Sequence, residues 1–238
     1  MAPSSRPNKP LGTIVIAIDG PAGAGKSTIA KALSKRLHFS YLDTGAMYRA
    51  LTLKALRQKI SLGNEAALVT LAQETTIDLR TETDQGLHIF LDGEDVTTAI
   101  RSLEVTNNTF YIARAPQVRA MMVEWQRAIG SRHNIVVEGR DVGTVVFPQA
   151  TYKFYLDADF KERSQRRILE LKAQKKVFDE DVLKKELQER DHKDMTRSVG
   201  PLKQAADAVR IDSTHLTIEQ VIEKIWQVVK NHGQAVHP

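Results

Sequence analysis

Residues 13–28 read TIVIAIDGPAGAGKST, and the fold turns on how this stretch is parsed. From Thr13 to Ile18 the chain is β-branched and nearly continuously apolar, bounded by Gly12 and Gly20. A run without polar alternation fits a strand buried on both faces, the habit of parallel sheets. Gly20, Pro21, Ala22, Gly23, Ala24, Gly25, Lys26 and Ser27 then match the eight-position phosphate loop: Gly, any four residues, Gly, Lys, Ser or Thr. The glycines let successive backbone N–H groups turn inward around an anion, Lys26 can reach β- and γ-phosphate oxygens, and the Ser27 hydroxyl suits Mg²⁺. Ile29, Ala30, Leu33 and Leu37 follow at helical spacing, so the loop, with Thr28 just beyond it, opens a helix whose positive end faces the same anion. The expectation is an α/β fold with a nucleotide phosphate at this turn and Lys26 in a solvent-facing loop.

Working outward, residues 1–12 hold Pro3, Pro7 and Pro10 without an apolar pattern and read as a disordered tail, with no apolar stretch of a secretory signal. A helix is expected from Thr44 to Gln58, with Met47, Leu51, Ala55 and Leu56 on one face. After Gly63 the character changes. Asn64 caps a short helix through Leu71, and extended segments at 76–81 and 87–91 are joined by tight turns, so 63–104 reads as a small α+β insertion. The main pattern then resumes, giving a core of 13–62 and 105–238.

Within that second part, helices are expected at 103–113 and 116–130, Pro116 suiting a first helical turn. Strands are expected at 134–138, 152–157 and 208–211. Asp159 and Glu162 form a capping-box pattern before an arginine-rich helix, another helix spans 180–192, and Thr217 with Gln220 caps a closing helix. The predicted architecture is three-layer α/β with a mostly parallel sheet.

Composition narrows the class. With 42% apolar and 26% charged residues the 238-residue chain is of ordinary globular make-up, and zero cysteines exclude disulfides, thiolate metal sites and a cysteine nucleophile. The longest apolar runs fall far short of the roughly 20 residues of a membrane helix, so no membrane association is expected. A net charge of +5 is mild and its cations are interspersed with acids. The densest cluster, Arg163, Arg166 and Arg167, suits compact phosphates at least as well as a polymer, and small phosphorylated substrates are expected ahead of nucleic acid. The histidines form no metal-ligand spacing, and Trp125 and Trp226 lie in helical patterns as packing residues.

The phosphate loop alone leaves GTPase, motor, helicase or kinase open. No Asn-Lys-x-Asp guanine motif occurs, and no further helicase or transporter motif is present, which leaves a small kinase. At this point the sequence resembles the bacterial cytidylate kinases. The similarity rests on four blocks in order: residues 18–21 leading into the loop, LDTGAMYR at 42–49, EGRDVGTVVFP at 138–148, and Glu189-Arg190-Asp191 followed by Asp194 and Arg197.

The resemblance implies a phosphate-loop kinase fold and ATP-dependent transfer to CMP or dCMP by a monomeric cytoplasmic enzyme, with ATP and Mg²⁺ required. It implies that residues Gly20 to Thr28 bind ATP, that the insertion at 63–104 covers the acceptor, and that a mobile lid spans about 161–178. Thr44 would be among the residues that bind CMP, and Arg49 and Arg140 would lie at the acceptor phosphate, guanidinium suiting phosphate because its planar fork takes two oxygens. Arg119, Asp141 and Arg197 would read the cytosine edge, with Arg190 and Asp194 at the ribose. Glu138 would reach magnesium through water. Of the lid arginines, Arg163 and Arg167 are four apart on one helical face and are expected to reach the phosphates, with Arg166 next. Phe110 departs from the family pattern, standing where a small hydroxyl residue is expected. The rival readings are a phosphate-loop kinase for UMP or another metabolite, and a nucleotide-gated RNA-binding or regulatory protein.

Overall fold

The structure, a computed structural model, describes residues 13–82 and 86–232. The expected disordered tail lies outside the described residues. β1 (Val15–Asp19), the phosphate loop and α1 (Lys26–Leu37) follow as read from the sequence. β2 (Ser40–Asp43), α2 (Thr44–Arg57) and α3 (Glu65–Gln73) lead to a small antiparallel sheet of β3 (Ile77–Glu82), β4 (Gly86–Leu91) and β5 (Glu94–Asp95). A 3-10 turn (Ala99–Arg101), α4 (Leu103–Arg114), α5 (Pro116–Gly130) and β6 (Ile135–Gly139) return the chain to the main sheet. A π-helical turn (Val142–Val146), β7 (Tyr152–Asp157), α6 (Phe160–Ala173), α7 (Glu180–Thr196), β8 (Val209–Asp212) and α8 (Ile218–His232) complete it.

The main sheet has order β2-β6-β1-β7-β8, and every pairing in it is parallel. β1 and β6 are buried along their whole length. Because side chains alternate across a strand, Val15 and Ala17 point into one apolar layer with α2, α3 and α5, while Ile16 and Ile18 point into the other with α1 and α8. This produces three layers. The register sets Ile18 and Asp43 beside Glu138 and Asp19 beside Gly139, so three carboxylates, Asp19, Asp43 and Glu138, gather at the carboxyl edge of the sheet. Open α/β sheets bind ligands at that edge.

The small sheet packs on the outer face of α2, where Ala46, Ala50 and Leu53 meet Ile89, Leu91, Val96 and Ile100. α3 differs: its Leu68, Leu71 and Ala72 join the main core, so part of the segment 63–104 is built into the body of the molecule.

Caps explain several boundaries. Asn64 accepts from Ala67 N at 3.2 Å as expected, and Thr217 and Gln220 bond reciprocally, each backbone N–H donating to the other's side chain. The Asp159–Glu162 box does not form. Asp159 makes no side-chain cap, its N–H donates to Thr214 Oγ1 at 2.9 Å, and Glu162 turns to Arg166 instead. Four elements escape the sequence patterns: β2, β5, the 3-10 turn and the π-helical turn. β2 is only four residues long, and the π-helical turn forms because Asp19 accepts from Val142 N and Gly143 N at 2.8 and 2.7 Å.

Candidate active site

A cavity of about 970 Å³ opens at the carboxyl edge of the sheet. Its walls include the phosphate loop from Ala22 to Thr28, the start of α2, α4, the end of β6, α6, α7 and the first turn of α8. Gly23 and Gly25 hold φ of +77° and +89°, conformations that favour glycine. A Cβ on Gly23 would also stand 2.9 Å from the Arg163 carbonyl oxygen, so the loop lies directly against α6.

Lys26 is not solvent-facing as expected. It is the first residue of α1, only 6% exposed, and its Nζ donates to Pro21 O at 2.6 Å. The walls that rise around the loop bury it: desolvation first, and the Arg140 guanidinium second, push its ammonium down to about 7, against the pull of Glu138. Glu138 is itself buried, and burial together with Asp43 raises its carboxyl, opposed by Lys26 and by the hydroxyls of Ser27 and Tyr41. Thr44 Oγ1 donates to Glu138 O at 2.8 Å, tying the start of α2 to the end of β6.

The arginines and acids expected around an acceptor converge. Asp43 caps α2 through Ala46 N at 2.9 Å and receives Arg49 Nη2 at 2.7 Å; burial would raise this carboxyl, but Arg49 and Arg101 hold it below the usual range. Arg140 Nε donates to Asp194 Oδ2 at 2.8 Å, and Arg140 with Arg190 keeps the Asp194 carboxyl low against the opposing effect of burial. Arg190 also lines the cavity, and burial, with Arg140 beside it, lowers its guanidinium to about 10.

Deeper in, Arg119, Asp141 and Arg197 form one cluster. Asp141 bridges the two guanidinium groups, Arg197 Nη2 donating at 3.3 Å and Arg119 pairing with the other oxygen. Arg119 Nη1 also donates to Tyr48 OH at 3.2 Å. Arg119 is 2% exposed, yet its Nε has no protein partner among the described residues, and neither has the buried Nε of Arg49. Buried charged donors left unpaired are costly.

The lid arginines divide differently from the expectation. Arg166 and Arg167 line the cavity, Arg166 held by Ser213 (Nη1 to Oγ at 3.1 Å, Nη2 to O at 2.7 Å) and Arg167 by Glu170 at 2.7 Å. Arg163 does not line it. Its Nε donates to Ala158 O at 2.9 Å, its Nη1 to Ala22 O at 3.0 Å, and it pairs with Asp191. Helical spacing puts Arg163 and Arg167 on one side of α6, but the loop carbonyl and Asp191 capture Arg163.

Residues 16–231 match the sequence model of the cytidylate kinase family. The chain belongs to that family. It is 50% identical to a cytidylate kinase of Geobacillus sp. (strain WCH70) over 91% of this chain and 96% of that one. It is also 50% identical to one of Pelotomaculum thermopropionicum over 88% and 93%, and 46% identical to one of Enterococcus faecalis over 94% and 98%. Among solved structures, a shikimate kinase from Acinetobacter baumannii aligns at a TM-score of 0.46 with 12% identity, over 93% of this chain and 96% of that one.

For a cytidylate kinase, several residues in or behind the cavity wall went unread in the sequence. Asp19 shapes the Arg140–Asp141 corner through the two amides it accepts from. Gly200, at φ +57°, accepts from Arg197 Nε and packs so closely on Arg119 and Asp141 that no Cβ fits. Ser213, Leu216, Thr217 and Ile218 extend the cavity beyond the phosphate loop. Among the described residues of the segment 63–104 only Arg101 reaches the cavity; α4 supplies a further wall, with Phe110 and Ala113 one turn apart. Only a fold in hand reveals these, since each depends on partners far along the chain. Among the described residues, no helix is long and apolar enough to cross a membrane.

Proposed function

We propose that this cleft transfers the γ-phosphoryl group of ATP to the phosphate of CMP or dCMP, giving ADP and CDP or dCDP. The observation that carries the reading is a single cavity lined both by the phosphate loop and by the buried Arg119–Asp141–Arg197 cluster. A cluster of two guanidinium groups and a carboxylate complements cytosine, whose edge offers acceptors at O2 and N3 and a donor amino group. Arg49 and Arg140 receive the acceptor phosphate, Arg190 and Asp194 the ribose, and Gly20 to Thr28 the donor phosphates, with the donor base toward Ser213 and Thr217.

The transfer is direct and in line, and the acceptor needs no general base because its attacking oxygen is already anionic at neutral pH. The main obstacle is electrostatic: two polyanions must approach. Lys26, Arg166 and Arg167 oppose the charge on the transferring group, while Arg49 and Arg140 oppose that on the acceptor. Ser27 and Glu138 are hard oxygen donors that suit Mg²⁺, and a carboxyl held high by burial is one that a cation returns to its charged form. They would hold the ion, Glu138 through water, and when bound it withdraws charge from the β- and γ-phosphates.

The insertion and the lid close on the bound nucleotides. Lys176, three residues beyond α6, donates from Nζ to Arg101 O at 3.2 Å, so the two segments lie side by side at the cavity. The reading includes a monomeric, cytoplasmic enzyme acting on small molecules. A panel of CMP, dCMP, UMP and non-nucleotide acceptors with ATP and Mg²⁺ tests the assignment. CMP and dCMP are expected to be phosphorylated best; preference for UMP or a metabolite would overturn the base assignment, and ATP binding without any transfer would favour a nucleotide-gated binding protein.

A further inference from the structure

Arg163 and Asp191 form a buried pair outside the cavity, and both ends of it hold the phosphate loop. Asp191 Oδ1 accepts from Ala22 N at 3.1 Å, and its other oxygen pairs with Arg163, whose Nη1 donates to Ala22 O at 3.0 Å. The two peptide groups flanking Ala22 are thus fixed from two different helices. Arg163 sits on α6, which presents Arg166 and Arg167 to the cavity three and four residues on. Asp191 sits on α7, which presents Arg190, Asp194 and Arg197 to the same cavity. Arg163 and Asp191 are 7% and 6% exposed and line no part of it.

The loop's curvature is sensitive to this grip. Gly23, the next residue, lies in a left-handed conformation against the Arg163 backbone, so a shift of α6 is felt directly by the loop. Well-packed elements respond to such shifts by moving as units. Resting on the function assigned above, we propose that Asp191 and Arg163 are positioning residues that couple the acceptor site to the donor loop. Acceptor bound against Arg190, Asp194 and Arg197 holds α7 in place, which holds Asp191 on Ala22 and presets the loop for the donor phosphates. By linkage the donor favours the acceptor equally.

The test is the affinity of a non-hydrolysable β,γ-imido analogue of ATP with Mg²⁺, measured by calorimetry with and without saturating CMP. The wild-type chain is expected to bind the analogue at least about 5-fold more tightly with CMP present, the lower end of ordinary coupling. Asp191→Asn is expected to bring that ratio to within about twofold of unity while CMP alone binds within about twofold of wild type. Because Asp191→Asn leaves a buried Arg163 without its charge partner, the double variant Arg163→Met with Asp191→Leu provides a folded control with no stranded charge. It too is expected to lose coupling while melting cooperatively.

A wild-type chain without coupling overturns the proposal, as does full coupling retained in the folded double variant. A variant whose two affinities fall together with the ratio intact would show a merely structural pair and overturns it as well. The acceptor panel separates the two levels: a chain that phosphorylates CMP while Asp191→Asn keeps its coupling loses only this proposal. A chain that never phosphorylates CMP loses the assigned function and the proposal with it.

Discussion

A buried lysine lowered to about 7 must regain its proton when phosphates arrive, and this can be counted. At pH 8 a group of that pKa is about one-tenth protonated, so donor binding that fully charges Lys26 takes up about 0.9 proton. Calorimetric titration with the β,γ-imido analogue of ATP at pH 8, in two buffers of different ionisation enthalpy, reads the net uptake, and its difference from that of Lys26→Met isolates the share of Lys26. Affinity should correspondingly fall by up to about tenfold per pH unit above 7, because the free protein must be protonated to bind. The sign for folding is opposite. Between about 7 and 10.5 the unfolded chain binds more protons at this lysine than the folded one, so the empty protein gains stability from this group as pH rises through that window. Lys26→Met should abolish the Lys26 share of the uptake and cost on the order of 10² or more in rate while the chain stays folded. A Lys26 share below about 0.3 proton at pH 8, or unchanged uptake in Lys26→Met, would refute the burial argument.

Three further outcomes separate roles within the cleft. Arg197→Ala should lower kcat/KM for CMP by roughly 10- to 100-fold, about 1.5–3 kcal/mol, leave donor affinity nearly unaltered and narrow the CMP to UMP ratio; an unchanged ratio would place base reading elsewhere. Phe110→Ala should instead weaken CMP and UMP by the same factor, on the order of 5-fold or more, because an aromatic wall meets the face of a base and not its edge; kcat/KM for both acceptors tells the two apart. Gly23→Ala should destabilise by about 1–3 kcal/mol and raise the KM for ATP, since a left-handed φ and the Arg163 carbonyl both resist a Cβ; a melting curve and donor titration like those of wild type would contradict it.

The unit from β1 to α1 is legible because all its signals are contiguous: a doubly buried strand, glycines at the turn, helical spacing after it. The antiparallel pair β3 and β4 is legible for a similar reason, its two strands being near neighbours in sequence, whereas the packing of α3 into the main core is not. What the sequence conceals is determined at a distance. The π-helical turn is built by an aspartate 123 residues away, and no local pattern encodes that. Lys26 reads as exposed because a glycine-rich loop looks open, whereas it is buried, with charged groups of later segments, Glu138, Arg140, Arg190 and Asp194, acting on it. The lid arginines show how far periodicity goes. It places Arg163 and Arg167 on one face, but Asp191, 28 residues on, and the Ala22 carbonyl decide where Arg163 ends.

Those paired carboxylates also explain how a chain of mild net charge tolerates so many cations around one cavity. Asp43 holds Arg49, Asp194 holds Arg140, Asp141 holds both Arg119 and Arg197, and Asp191 holds Arg163. Without them the guanidinium groups would repel one another in a setting where water screens poorly. Each carboxylate takes only part of the donor fork, since a guanidinium offers five N–H groups. Arg49 and Arg119 are each anchored through an Nη, Arg49 on Asp43 and Arg119 on Tyr48. The acids therefore fix the arginine rotamers along the cavity wall, so a phosphate or base that reaches the remaining N–H groups meets donors already oriented and loses little to their reorganisation. On this argument the acids matter to turnover as much as the arginines do, although none of Asp43, Asp141, Asp191 or Asp194 needs to exchange a proton during transfer.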